Sequence, residues 1–235
     1  MSLPSSYLLL YNALSLLLWT YQTLTILSHA SQPTALRNDI FALVTPVQSA
    51  AVLDVVHAAL GLVRASPGTA ALQVGGRNLV VWTVMRAFPD LIILGNGEGE
   101  GLGRLAFVAC LGAWGVADVL RFALFVGNGL GWEFISIRFF NVGSEVIDSS
   151  CKSWVALMSE CVRYSAFIVL YPVGFLGEAA LVYLGLVKGQ GIGPIYRGYL
   201  FLGLLSYIPA SYVLYTHMFS QRRRALAETG RAKGG

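Results

Sequence analysis

Charged side chains are scarce in this sequence. Only 12% of the 235 residues are Asp, Glu, Lys or Arg, whereas a soluble domain carries about 25%. Hydrophobic residues make up 56% of the chain, so a soluble globule of this size would lack the polar surface it needs. The deficit is concentrated in long, almost uncharged windows, which is typical of an integral membrane protein. The sequence therefore excludes a soluble globular fold and predicts several membrane-spanning helices.

Cysteine and histidine are also few, three of each, and neither is clustered. An odd number of irregularly spaced cysteines excludes a disulfide framework and a zinc motif, and the histidines are too scattered for a metal cluster. A cysteine phosphatase loop needs an arginine six places after its cysteine, where this chain has Val116, Leu157 and Phe167. No serine lies in the strand–turn–helix motif of a hydrolase nucleophile. We therefore expect no metal and no redox cofactor.

Six apolar windows are each long enough to cross the hydrocarbon core as a helix, which takes about 20 residues. They run from about Ser5 to Ser28, Ile40 to Val63, Leu72 to Leu94, Leu105 to Val126, Trp154 to Val187, and Gly198 to Phe219. Helix is expected because open strands leave backbone groups unsatisfied in lipid, and the windows lack the alternation of barrel strands. The sequence predicts an all-α polytopic membrane protein, with a six-helix transmembrane bundle over residues 1–220 and a basic cytoplasmic tail over residues 221–235.

The basic tail sets the expected orientation. Arg222, Arg223 and Arg224 follow the last window, and such residues mark a cytoplasmic flank more often than an RNA site. An even number of spans puts both termini on one side, so we expect both in the cytoplasm and no nucleic-acid partner. The longest polar linker, from Gly127 to Lys152, is a candidate for a short interfacial helix, and its role stays open.

Most ionisable residues at membrane depth come in local pairs. Each such group costs about 2.5–3.5 kcal/mol on insertion, so each needs a reason. Residues three or four places apart lie on one helix face. That spacing relates Asp54 to His57, Arg86 to Asp90, Asp118 to Arg121, and Glu160 to Arg163. Mutual neutralisation near helix ends is the simplest interpretation, and we favour it for the Arg86 and Glu160 pairs.

Glu178 differs because no charged residue lies three or four places from it. Tyr164, Tyr171 and Glu178 recur every seven residues, close to two turns, so they share one helix face. A lone carboxyl group of this kind is suited to general acid–base chemistry near neutral pH. Pro172 is expected to distort the helix, and Gly174 lets a helix or ligand approach closely. An equally weighted alternative is structural, with a tyrosine in the interface belt and a glutamate bonded to another helix.

At these positions the sequence resembles the very-long-chain 3-hydroxyacyl-CoA dehydratases of the endoplasmic reticulum, also called protein tyrosine phosphatase-like proteins. The most specific stretch runs from Arg163-Tyr164-Ser165 through Leu170-Tyr171-Pro172-Val173-Gly174 to Glu178. Similar motifs are Tyr7-Leu8 to Tyr11-Asn12 with Trp19; Gln48 through Asp54, His57 and Gly61-Leu62-Val63; Gln73 with Arg77; and Trp114, Asp118 and Arg121. The resemblance covers all six windows, although Asp54, Gly76, Asp118 and Phe122 replace the usual glutamate, serine, glutamate and tyrosine.

The resemblance implies the third step of fatty-acid elongation, in which a 3-hydroxyacyl-CoA loses water to give a trans-2-enoyl-CoA. It implies Tyr171 and Glu178 as the catalytic pair. We assign Glu178 as the base at C2 and Tyr171 as the acid at the C3 hydroxyl, and the reverse assignment stays open. Weaker candidates for substrate binding are Arg77, Arg121, Gly174 and Tyr164. The two arginines suit the polyanionic CoA end of the substrate.

The same resemblance implies the cellular setting. It implies a multi-pass protein of the endoplasmic reticulum membrane that binds a long-chain acyl-CoA and the lipid bilayer. The other elongation-cycle enzymes are its expected partners: the condensing elongase, the ketoacyl reductase and the enoyl reductase.

Two other classes of function share this architecture. A non-catalytic scaffold would have no reason to keep a lone glutamate at Glu178. A transporter would use the intramembrane carboxylate to carry protons, and its mark would be an inverted internal repeat, which we do not find by inspection. A dehydration assay distinguishes the enzyme from both.

Overall fold

The described part of the chain is helical. The computed structural model describes residues 3–37, 41–63, 65–94, 101–130, 149–189, 191–209, 211, 212 and 216, and for residues 3, 4 and 149–168 it describes the backbone alone. Within these ranges there is no strand, which confirms the all-α prediction. The central part of the predicted linker, residues 131–148, and the basic tail lie outside the described residues.

Eight helices follow one another in the described ranges. They are α1 (Leu3–Ser28), α2 (Pro33–Ala35), α3 (Phe41–Ala50), α4 (Val52–Ala59), α5 (Pro67–Val80), α6 (Leu102–Leu130), α7 (Ser149–Lys188) and α8 (residues 194–209). Two π-helical turns, Val81–Met85 and Asp90–Leu94, lie between α5 and α6. Pro67 begins α5, at a position where its missing N–H has no helical partner to lose.

The predicted windows match these helices unevenly. The first and fourth windows correspond closely to α1 and α6. The second is divided at Ala51 into α3 and α4, and the third is interrupted by a turn at residues 86–88. Pro89 follows that turn, and a residue before proline is disfavoured in helical geometry. Local turn chemistry therefore divides apolar windows that composition alone presents as continuous.

Three described stretches are long and apolar enough to cross a membrane. They are Phe41–Ala59, Leu102–Leu130 and Val169–Lys188. The last is the part of α7, a helix of 40 residues, whose side chains are described. The finer expectation of six spans stays a prediction.

Glycine allows α1 and α6 to pack closely as antiparallel neighbours. Gly129, near the end of α6, faces Leu9 near the start of α1, and Gly115 faces Thr23 further along. A Cβ on Gly129 would lie 2.9 Å from the Leu9 side chain. Small residues at such crossings let two backbones approach, which is the usual way of packing helices in lipid.

A second close contact joins α6 to α7, again antiparallel. Gly174 faces Trp114, and Gly177 faces Cys110 one turn away on each helix. A Cβ on Gly177 would lie 2.8 Å from the Cβ of Cys110, so only glycine fits without displacing a backbone. Cys110 is a buried free thiol. This contact sets the position along α6 beside which Glu178 lies.

Candidate active site

Both carboxylate oxygens of Glu178 accept hydrogen bonds from other helices. The indole N–H of Trp114, on α6, donates to Oε1 at 2.8 Å. The phenol of Tyr207, on α8, donates to Oε2 at 3.0 Å. Among the described side chains of α7 this carboxyl group has no charged partner, as predicted, but it is bonded to two neighbouring helices. The structural alternative of a glutamate bonded to another helix correctly describes these contacts, and it does not exclude chemistry.

Tyr171 lies seven residues before Glu178 on the same helix. α7 continues through Pro172 without a break, so the two side chains stay on one face, about 10 Å apart along the helix axis. Both residues are partly buried. The side chain of Tyr164, the third member of the predicted stripe, lies outside the described residues. A cavity shared by Tyr171 and Glu178 remains a prediction.

A row of ion pairs that ends on a tyrosine, the charged ladder, joins four helices on the side of the bundle where α1 begins. Arg77 on α5 lies 2.5 Å from Asp118 on α6. Asp118 also pairs with Arg121 at 2.9 Å, as the sequence predicted. Arg121 lies 2.8 Å from Asp54 on α4, and Asp54 accepts a hydrogen bond of 2.8 Å from Tyr11 on α1. The two acids and two bases alternate, so the ladder carries no net charge.

The predicted pairing of Asp54 with His57 is wrong. His57 is buried and is hydrogen-bonded to the phenol of Tyr7 at 2.9 Å, while Asp54 bonds Arg121 and Tyr11. The sequence spacing puts Asp54 and His57 on one face of α4, but α1 and α6 supply closer partners. Tertiary contacts therefore replace the local one.

The predicted pairing of Arg86 with Asp90 is also wrong. Asp90 pairs with Arg37 at 2.5 Å, and the guanidinium of Arg86 lies 5.1 Å from the ring centroid of Trp82. The turn at residues 86–88 separates the two, so the four-residue spacing of a regular helix does not apply. The fourth predicted pair, Glu160 with Arg163, lies outside the described side chains.

Trp114 connects the charged ladder to Glu178. Trp114, Asp118 and Arg121 are four and three places apart on α6, so they lie on one face. The guanidinium of Arg77 lies 5.2 Å from the indole centroid, a cation–π distance. Twelve residues separate Trp114 from Leu102, where α6 begins, which is about 18 Å of helix. The carboxylate of Glu178 is therefore bonded near the middle of α6.

Among the weaker site candidates, the two arginines form ion pairs and Gly174 contacts Trp114. Arg77 and Arg121 are held in ion pairs, and their side chains remain 28% and 31% exposed. Within the described part of the chain, the buried Nε of Arg121 has no hydrogen-bond partner. Gly174 lies against the indole, since a Cβ there would be 3.4 Å from Cδ1 of Trp114. Its observed contact is therefore with the residue that holds Glu178.

Sequence reasoning missed the two donors to Glu178. Trp114 was noted only within a motif, although it lies on the same face of α6 as two charged residues. Tyr207 was not singled out, although Tyr196, Leu200 and Tyr207 follow the spacing of one helix face and Leu200 is buried. That spacing marks an inward-facing tyrosine. It cannot show which residue of another helix the tyrosine meets.

The arrangement combines a carboxylate held by uncharged donors with a phenol on the same helix face. A positioned carboxylate can remove a proton, and a neutral phenol can donate one. Among the described residues, no group of three or more His, Cys, Asp or Glu is placed to hold a metal ion. The site is suited to acid–base chemistry.

Comparison with known proteins identifies one family that the chain matches. Residues 48–228 match the family described as "Protein tyrosine phosphatase-like protein, PTPLA". No solved structure matches the chain.

The related proteins carry one functional name. A Schizosaccharomyces pombe protein, "Probable very-long-chain (3R)-3-hydroxyacyl-CoA dehydratase", is 28% identical over 94% of this chain and 93% of its own. Arabidopsis thaliana "Very-long-chain (3R)-3-hydroxyacyl-CoA dehydratase PASTICCINO 2" is 28% identical over 96% of this chain and 95% of its own. The Homo sapiens "Very-long-chain (3R)-3-hydroxyacyl-CoA dehydratase 2" is 25% identical over 97% of this chain and 83% of its own.

Proposed function

Because the chain belongs to the protein tyrosine phosphatase-like family, we propose that it dehydrates very-long-chain (3R)-3-hydroxyacyl-CoA to trans-2-enoyl-CoA. The enzyme is then a hydro-lyase that performs the third step of the fatty-acid elongation cycle. Relatives in a fungus, a plant and an animal, each aligned over nearly the whole of this chain, are named for this activity. The observation that carries the proposal is the carboxylate of Glu178, bonded on both oxygens inside the bundle with Tyr171 on the same face.

The proposed chemistry needs one base and one acid. The carboxylate of Glu178 removes a proton from C2, and the electrons of that bond form the C2–C3 double bond. The C3 hydroxyl leaves with the proton of the Tyr171 phenol as water. The proton on Glu178 then returns to Tyr171, so the cycle consumes none. The indole N–H of Trp114 can only donate, so Glu178 meets it as an acceptor, which supports Glu178 as the base.

The positions of Arg77 and Arg121 support one orientation of the substrate in the site. Arg121 lies seven residues beyond Trp114 on α6, about 10 Å nearer the end of that helix. The exposed parts of the Arg121 and Arg77 side chains offer donors to a thioester or phosphate oxygen. We propose that the CoA end lies on the arginine side and that the acyl chain extends past Glu178 among apolar side chains. Tyr164 remains a weaker candidate for substrate contact.

The proposal also covers how the protein crosses the membrane and where it lies in the cell. Six spans, both termini in the cytoplasm and residence in the endoplasmic reticulum membrane would place the site beside the other elongation enzymes. The condensing elongase, ketoacyl reductase and enoyl reductase would supply its substrate and consume its product. Fluorescence imaging of the tagged protein tests the location, and signal confined to the plasma membrane would contradict it.

A single-turnover assay tests the activity. Purified protein in nanodiscs is mixed with a long-chain (3R)-3-hydroxyacyl-CoA, and the enoyl product is measured. We expect turnover by the wild type and a loss of at least about 100-fold in Glu178→Gln and in Tyr171→Phe, since each acid–base group contributes about 10²–10⁴ in rate.

Matched control variants remove a phenol hydroxyl and a carboxylate at positions outside the proposed site. Tyr183→Phe changes an exposed tyrosine on the same helix, and Asp90→Asn converts an exposed carboxylate to an amide. Both should keep wild-type turnover. No dehydration by folded wild-type protein would refute the function, whereas wild-type turnover in Glu178→Gln would refute the mechanism alone.

A further inference from the structure

Glu178 is held by two donors that come from two different helices and carry no charge. We propose that Trp114 and Tyr207 are positioning residues that fix the carboxylate of Glu178 for removal of the C2 proton. This inference rests on the proposed function. It adds two residues, one on α6 and one on α8, to a catalytic pair that the sequence placed on α7 alone.

The geometry suits a base that must stay free to react. A glutamate side chain has three rotatable bonds, and one hydrogen bond would leave the carboxylate free to turn about it. Separate donors on Oε1 and Oε2, at 2.8 and 3.0 Å, fix both its position and its plane. Each carboxylate oxygen has about two acceptor sites. One therefore remains on each oxygen for the substrate.

The donors are themselves held in place. The indole of Trp114 has the guanidinium of Arg77 5.2 Å from its centroid and lies close to Gly174, where an added Cβ would be 3.4 Å from Cδ1. The ring of Tyr207 packs edge-on against Phe175, with centroids 5.0 Å apart. Phe175 lies three residues before Glu178, so Tyr207 contacts α7 at two points. Rigid donors of this kind hold a reacting group more precisely than a flexible chain can.

The absence of charge on the donors also has a chemical consequence. Lys or Arg at either place would form an ion pair with the carboxylate and weaken it as a base. Trp114 and Tyr207 orient the group through neutral hydrogen bonds. Arg77 forms its ion pair with Asp118 and lies over the indole, so its guanidinium is bonded to Asp118 and not to the carboxylate of Glu178. Two uncharged donors thus hold the carboxylate of Glu178 in place without the loss of basicity that an ion pair would cause.

The experiment removes each donor and keeps its ring. Trp114→Phe and Tyr207→Phe are assayed by single turnover with a long-chain (3R)-3-hydroxyacyl-CoA in nanodiscs. Each should lower the rate constant about 10- to 100-fold, because small displacements of a reacting group have effects of that size. The substrate concentration for half-maximal rate should stay within about twofold, since neither residue is assigned to ground-state binding. Trp82→Phe and Tyr212→Phe make the same changes at exposed positions and should leave the rate unchanged.

A double-mutant cycle separates positioning from a structural role. In Glu178→Gln there is no base to position, so adding Trp114→Phe or Tyr207→Phe should lower the residual rate no further. A structural defect would lower it by the same factor in both backgrounds, and that result overturns the proposal. Wild-type rates in both phenylalanine variants also overturn it.

The outcomes distinguish this inference from the proposed function. If Glu178→Gln is inactive and both phenylalanine variants are normal, only the positioning inference fails. If the wild type does not dehydrate, or if Glu178→Gln is fully active, the proposed function or its base assignment fails first. Rates are referred to the folded fraction measured by thermal melting. The two donors are tested separately, so a folding defect in one variant leaves the other as a complete test.

Discussion

Arg77 and Asp118 form an ion pair of 2.5 Å between α5 and α6, in which the Asp118 side chain is only 5% exposed. Such a pair can contribute little net stability when intact, because burying both charges is costly. Removing Asp118 is different, since Arg77 then loses its partner and Arg121 keeps only Asp54. The packing of α5 on α6 is therefore sensitive to the loss of Asp118, which pairs with both arginines.

We expect Asp118→Ala to lower the free energy of unfolding by about 3–5 kcal/mol, the usual effect of breaking a buried pair. Thermal melting in detergent measures the change. The matched control is Asp90→Ala, because Asp90 pairs with Arg37 at an exposed position where such pairs are worth about 0–1 kcal/mol. In an Arg77→Met background the effect of Asp118→Ala should shrink. Equal losses in the two alanine variants would contradict this account.

Gly177 gives a second stability prediction. A Cβ at this position would lie 2.8 Å from Cys110 and 2.9 Å from the backbone oxygen of Ala106, so Gly177→Ala must push α7 away from α6. We expect a loss of about 1–3 kcal/mol, as for other overpacked contacts. Gly203→Ala on α8 is the control, because no atom lies within 4 Å of its added Cβ. If both alanines are equally harmless, the close approach is wrong.

Several features of the site could be predicted because they lie on one helix. The charged pair of Asp118 and Arg121 and the shared face of Tyr171 and Glu178 follow from helical spacing alone. The same rule gave the wrong partner for Asp90, because the chain turns before Pro89 and regular spacing stops there.

Contacts between helices could not be predicted. Periodicity identifies an inward face but not the helix that it meets, so the donors from Trp114 and Tyr207 to Glu178 had no sequence signal of their own. The bond between Asp54 and Arg121 is of the same kind, since it joins α4 to α6. The catalytic pair was therefore predicted on α7, and the structure surrounds Glu178 with residues of α6 and α8 as well.

Glycosylation mapping tests the proposed six-span topology. The sequence contains no Asn followed two places later by Ser or Thr, so any modification comes from an introduced acceptor. An acceptor in a flexible spacer between α1 and α3, or between α7 and α8, should be glycosylated in microsomes. One placed after residue 221 should not be, because the basic tail is expected to stay in the cytoplasm. Modification of the tail would contradict a topology with both termini in the cytoplasm.

The final prediction concerns how Tyr171 and Glu178 act together. Groups that work on one substrate in one step lose their effects non-additively, because removing either one already disables the step. We therefore expect the double variant Tyr171→Phe, Glu178→Gln to lose clearly less than the product of the two single losses. Single-turnover rates for the four proteins of this cycle measure the interaction.

The control cycle pairs Glu178→Gln with Tyr183→Phe, whose tyrosine lies on the same helix but is exposed. Those two changes should combine additively within error, because Tyr183 has no part in the proposed step. Full additivity in the Tyr171 cycle would mean that the phenol and the carboxylate act in separate events. The proposed transfer of one proton to each of them within a single elimination would then be wrong, even if each residue were individually essential.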